Sequence, residues 1–186
     1  MPNKLGNSAA EQKLLRAVAL WAVNCAEQAL PVFESRHPDD TRPRKAIAAG
    51  RAFAQGKRRS RDLRVLSMAA FKIIKELDEP SKHAAHAASL TAAVAYTHTD
   101  LQGGVQGSRQ ARHVLGPVVY SALALETAAG NDSNVGNNFI DRAIRDAPPE
   151  ARRIVERMEP QPKKEGRRDE LFSVLDAALR GEATRQ

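Results

Sequence analysis

Along the first part of the chain, apolar residues return every three or four positions. Leu14, Val18, Trp21, Cys25 and Ala29 line up on one side of a helix with polar residues between them. Ser8-Ala9-Ala10-Glu11 fits a capping box, in which hydroxyl and carboxylate each satisfy a free backbone N–H at the helix start. Pro31 is expected to kink or end this helix, because it lacks a donor and crowds the carbonyl one turn back. A second helix is predicted from Arg42 or Pro43 to Gly56. Ser60 and Asp62 open a third, with Leu63, Leu66, Ala70, Ile73, Ile74 and Leu77 as its buried stripe. Pro80 and Ser81 start a fourth, Ala-rich and running to about His98. Thr99 to Gly107 reads as a Gly-rich loop, and Ser108 as the cap of a fifth helix that reaches Gly130 with a kink at Gly116-Pro117. Asn131 to Asn138 reads as a loop. Two short helical patterns follow, one with Phe139, Ile140 and Ile144, the other introduced by Pro148-Pro149 and carrying Ile154, Val155 and Met158. Residues 159–166 read as an exposed linker, and 167–181 as a last helix that turns Leu171, Val174, Leu175 and Leu179 toward a neighbour. No segment has the alternation of a strand. The expected fold is therefore all-α, a compact bundle of about seven or eight helices, some Pro-kinked, with a body over residues 7–158 and the last helix packed on it.

Composition supports that reading and narrows it. The 186 residues suffice for one sizeable core, and the 42% apolar share owes much to Ala while aromatics supply only 4%. Ala is the best helix former and has little use in strands. A single Cys excludes an internal disulfide and a Cys-based zinc site, which points to a reducing compartment. No apolar run approaches the roughly 20 residues of a membrane span, and Met1 to Asn7 lacks a signal-peptide core. The expectation is a soluble, cytoplasmic protein with no membrane partner. The net charge is +7, and six of those seven charges fall within residues 1–80, concentrated from Arg51 to Arg64.

Several constellations could carry chemistry. Glu27, Glu34, Asp39, Asp40, Arg42 and Arg44 could form a polar pocket between the first two helices, since an Arg fork binds carboxylate bidentately. The plainer reading is an ion network that fixes the interhelix turn. His83 and His86 share a helix face, with His98 and His113 as later contributors to a metal site. With no carboxylate or thiolate expected beside them, they read as interhelical histidines, and no metal or cofactor is called for. Cys25 sits on an apolar face, where a thiol is inert. Gly103, Gly104 and Gly107 before Ser108-Arg109 could cradle a phosphate, yet the run lacks the Lys and spacing of a P-loop and reads as a turn. Lys57, Arg58, Arg59 and Arg61, with Arg51 and Arg64, form the basic patch best suited to phosphate, but no aromatic interleaving or reader motif accompanies it. No catalytic arrangement is recognisable.

The pattern Leu20-Trp21-Ala22-x-x-Cys25-Ala26-Glu27-x-x-Leu30-Pro31-x-Phe33-Glu34, followed by Asp40-x-Arg42-Pro43-Arg44-x-Ala46-Ile47, resembles an all-helical bacterial family of immunity proteins of polymorphic toxin systems, the fifth such family and its relatives. The likeness continues more loosely through His83 to Ala88 and Ala111 to Tyr120. Residues after Gly130 carry no assignable motif. The resemblance implies a protein that binds a cognate toxin and blocks it rather than a catalyst. Its candidate binding residues are Glu27, Glu34, Asp40, Arg42, Arg44, His83, His86 and His113. Two alternatives stand beside it: a small nucleic-acid-binding protein using Lys57 to Arg64, and a helical enzyme with a polar pocket around Glu27 and Arg42. Inhibitors that cover a cationic nuclease site present acidic surfaces, and a +7 chain suits that task only through a local acidic face.

Overall fold

A computed structural model describes residues 9–97 and 104–181. The described chain forms eight α-helices: α1 (Ala9–Glu34), α2 (Arg42–Ala54), α3 (Arg61–Lys72), α4 (Glu79–Ala93), α5 (Gly104–Ala128), α6 (Ser133–Arg145), α7 (Pro149–Glu156) and α8 (Arg167–Leu179). Short 3-10 turns follow α3 and α4, and no strand occurs among the described residues. Ser8, the expected cap of α1, and His98 lie outside them.

The architecture is organised around α4, which packs against α1, α2, α3 and α5. Its Ala84, Ala85, Ala87, Ala88 and Ala92 are all buried, so small side chains on several sides let four helices approach. At the tightest approaches Gly stands in place of Ala: a Cβ on Gly50 would lie 3.1 Å from the Thr91 carbonyl, and one on Gly116 would lie 2.4 Å from Leu90 Cδ1, whose side chain would have to shift. Gly116 therefore marks close packing of α5 on α4. It does not mark a break, and α5 runs through Pro117 to Ala128.

Other boundaries also shift from the sequence expectation, each for a local reason. α1 continues one turn past Pro31 because Leu30 and Phe33 are buried, and Ser35 N–H still bonds to the Pro31 carbonyl at 3.0 Å. The Gly-rich run contributes Gly104 and Gly107 to the first turn of α5 rather than to a loop. In the Asn-rich stretch, the Asp132 carboxylate accepts from Asn134 N–H at 3.0 Å and starts α6 inside the expected loop. α4 begins at Glu79, one residue before the expected Pro80, with the Asp78 carboxylate as its cap.

The principal core gathers Trp21, Phe53, Leu115, Phe139 and Phe172, with smaller clusters around Leu30 and Phe33. Trp21 donates its indole N–H to the Ala143 carbonyl at 3.0 Å, which ties α1 to α6. The α8 helix buries Leu171, Phe172, Leu175 and Leu179 against the bundle. Residues 159–166 are not wholly exposed. Gln161 is buried, and its N–H donates to Asp176 Oδ2 at 3.1 Å.

Candidate functional site

The charged residues between α1 and α2 separate into three pairs instead of one pocket. Arg44 Nε and Nη2 donate to Glu34 Oε1 and Oε2 at 2.7 and 2.5 Å, a bidentate link across the interhelix turn. Arg42 turns back to Asp40, two residues before it, with Nη2–Oδ2 at 2.5 Å. Hydrogen bonds and charge from Arg42 hold the Asp40 carboxyl below its ordinary range. Glu27 meets Arg51, not Arg42, at 2.6 Å, and Asn24 adds an acceptor to the same guanidinium at 3.2 Å. Arg51 is thereby withdrawn from the basic patch. A pocket around Glu27 and Arg42 does not form, because helical spacing sends the two side chains to different partners.

His83 and His86 meet aromatic rings. His86 stacks on Tyr120 of α5 with ring centroids 3.8 Å apart, and Phe71 of α3 meets it in an edge geometry at 5.5 Å. His83 lies 6.0 Å from the same Tyr120 ring. Burial, reinforced by the neighbouring His83 and Arg168, pushes His86 down to about 4, and burial also lowers His83. Both are neutral at pH 7, so the 3.3 Å contact of His83 Nε2 with Glu79 is not an ion pair. Half-buried His113 lies seven residues before Tyr120 on α5 and is not part of this stack. Among the described residues, no group of three His, Cys, Asp or Glu side chains could hold a metal ion.

Next to the stack lies an ionic cluster built mainly by α8. Buried Asp169 accepts from Arg112 Nη2 at 2.9 Å and Arg168 Nη2 at 3.1 Å. Burial alone would raise the Asp169 carboxyl; the two guanidinium groups overcome it and hold it low. Arg112 further donates to Gln161 and lies 5.0 Å above the Phe172 ring. Sequence reasoning missed this cluster. Arg112 and Tyr120 fall within the looser resemblance, but Arg168 and Asp169 carry no motif and are brought in only by the docking of α8.

The basic patch is also divided. Lys57, Arg58, Arg61 and Arg64 are exposed, whereas Arg59 is half-buried with its guanidinium 5.4 Å from the Tyr96 ring centroid. Arg16, unremarked in the sequence, donates to the Gly56 carbonyl at 3.0 Å and helps fix that loop. Beyond the loop, Arg42, Arg61, Arg64 and Lys72 border a groove of about 730 Å³ floored by Val65, Met68 and Ala69. A second groove of about 340 Å³ runs between α1 and α6 beside Leu20, Cys25 and Asp146. Burial, with the Asp146 charge, pushes the Cys25 thiol up to about 12, so it is not a nucleophile at neutral pH.

The described residues thus form an all-α bundle in which His83 and His86 are absorbed into packing, while Arg61, Arg64 and Lys72 border the exposed side chains of Val65 and Met68 on one outer face of α3. No described helix is long and apolar enough to cross a membrane. The chain belongs to the family described as Imm-5 like putative immunity protein, whose model matches residues 8–146. That match spans α1 to α6 and stops before α7 and α8. No curated protein and no solved structure matches the chain.

Proposed function

We propose that this protein binds a cognate bacterial toxin and neutralises it by covering a surface the toxin needs. The observation that carries this reading is membership of the immunity family over residues 8–146. The fold suits the role, because a densely packed bundle presents a preorganised surface and loses little conformational entropy when it docks. The chain then acts in the cytoplasm, where the buried Cys25 stays reduced. The ion pairs of Glu27 with Arg51 and Glu34 with Arg44 link α1 to α2, Asp40 and Arg42 pair within the turn between them, and the stack of His83, His86 and Tyr120 joins α4 to α5. Both arrangements hold the exposed faces in fixed relation.

The test is co-expression with toxic domains cloned from the genes neighbouring the one for this chain. Cells carrying the domain alone should stop growing, and those also carrying the native chain should recover. The two purified proteins should form a complex of fixed stoichiometry. Failure of both rescue and complex formation would overturn the reading.

A further inference from the structure

Helix α3 has two apolar faces, and the core uses only one. Leu63 and Ala70 are buried. Around the helix, Arg61, Arg64, Val65, Met68 and Lys72 recur at three- and four-residue spacing, which places them along one outward strip about 16 Å long. Val65, Met68 and adjoining Phe71 are 55%, 44% and 47% exposed, three of the four large apolar side chains left open among the described residues. Single exposed apolar residues are ordinary, but a contiguous patch rimmed by charge marks an interaction surface.

The charge around this patch is uncompensated. Arg61, Arg64 and Lys72 make no ion pair among the described residues, in contrast to Arg42, which Asp40 neutralises at the groove edge. We infer that this face of α3 is the toxin-docking surface, and that the toxin meets it with an acidic rim surrounding an apolar side chain that seats on Val65 and Met68; the inference rests on the immunity reading above. Met and Arg are the residue types enriched in protein interfaces, and an Arg fork matches carboxylate geometry. Nucleic acid is the poorer occupant, because a phosphate backbone gains nothing from an aliphatic floor. A second copy is also disfavoured, since a two-fold contact on this face would bring its cations against their own counterparts. A cationic rim cannot cover a cationic nuclease cleft. The toxin is therefore held through an acidic face.

The deciding experiment titrates the purified toxic domain identified by the co-expression test above into native protein, Met68→Asp, the triple variant R61E/R64E/K72E, and Leu20→Asp as a control in the second groove. All substituted side chains are exposed, and circular dichroism verifies that each variant stays helical. Met68→Asp should weaken binding by about 30-fold or more. The triple variant should associate about 10- to 100-fold more slowly at low salt. Leu20→Asp should bind as native does. Native-like binding by both α3 variants would overturn the docking surface and leave the immunity reading intact. No binding by native protein would overturn both. Salt-sensitive binding of native protein to a DNA duplex of about 20 base pairs, lost in the triple variant but kept by Met68→Asp, would replace the toxin with nucleic acid. A native dimer in sedimentation that Met68→Asp dissociates would assign the face to a second copy.

Discussion

Two Arg–carboxylate pairs, one near the start of the chain and one in its last helix, have the same chemistry and different surroundings. Arg44 and Glu34, in the motif-bearing segment, are 62% and 26% exposed, whereas Arg180 and Asp176, in the motif-free C-terminal segment, are 11% and 4% exposed. In the first pair water screens the attraction, so the link guides the turn and contributes little free energy. In the second, Asp176 satisfies Arg180 Nε and the Gln161 N–H at once, and losing it would leave the Arg180 guanidinium with only the Met158 carbonyl in a dry site. Segments that carry a recognisable motif need not carry the stability. The contrast extends to Glu126, also buried, which binds Arg167 through three contacts of 2.8 to 3.1 Å. A Cβ on Gly136 would lie 2.0 Å from Glu126 Oε2, so this glycine leaves room for the pair.

The largest expected effect is on the buried side. Asp176→Ala should lower the unfolding free energy by about 3 to 5 kcal/mol in urea titrations, because a buried guanidinium loses its partner and the Met158 to Gln161 segment loses its anchor. A cost below about 1 kcal/mol would erase the distinction between the two pairs.

An intermediate effect belongs to the histidine stack. Folded His86 resists protonation down to about 4, whereas its ordinary value is 6.5. As pH falls through that window the unfolded chain binds the extra proton, so stability declines, by roughly 3 kcal/mol in total if His86 acts alone. Above pH 6.5 the group contributes no slope. His83 acts in the same direction, while the low-lying Asp169 loses its contribution only at more acidic pH. His86→Phe keeps a ring against Tyr120 and should flatten most of the decline in thermal melts between pH 6.5 and 4.5. An unchanged slope would move the acid sensitivity elsewhere.

The smallest effect tests the signature. Arg44→Ala should cost no more than about 1 kcal/mol and less at high salt, as expected for a screened pair. A loss comparable to that of Asp176→Ala would show that the interhelix turn, not the α8 dock, holds the bundle together.

By itself the sequence determined the helices, because apolar spacing, Pro and Gly positions and Ala content are local properties that tertiary contacts rarely reverse. It also marked Trp21, Cys25 and the α8 leucines as core, since each lies on a periodic stripe. Boundaries moved where burial outweighed a local breaker, as at Pro31, or where a side-chain cap entered an apparent loop, as at Asp132. The candidate site was less legible. Glu27, Glu34, Arg42, Arg44 and Arg51 were all visible as charges, but only the rotation of α2 on α1 decided which of them meet. The outward strip of Val65 and Met68 could have been read from spacing, and the stronger stripe of Leu63, Ala70 and Ile73 on the same helix concealed it. Arg112, Tyr120, Arg168 and Asp169 lie up to 57 residues apart along the chain and converge only when α8 docks. Pattern along a chain records what each residue prefers, whereas a site depends on which preferences are satisfied by distant partners, and that is settled only when the helices pack.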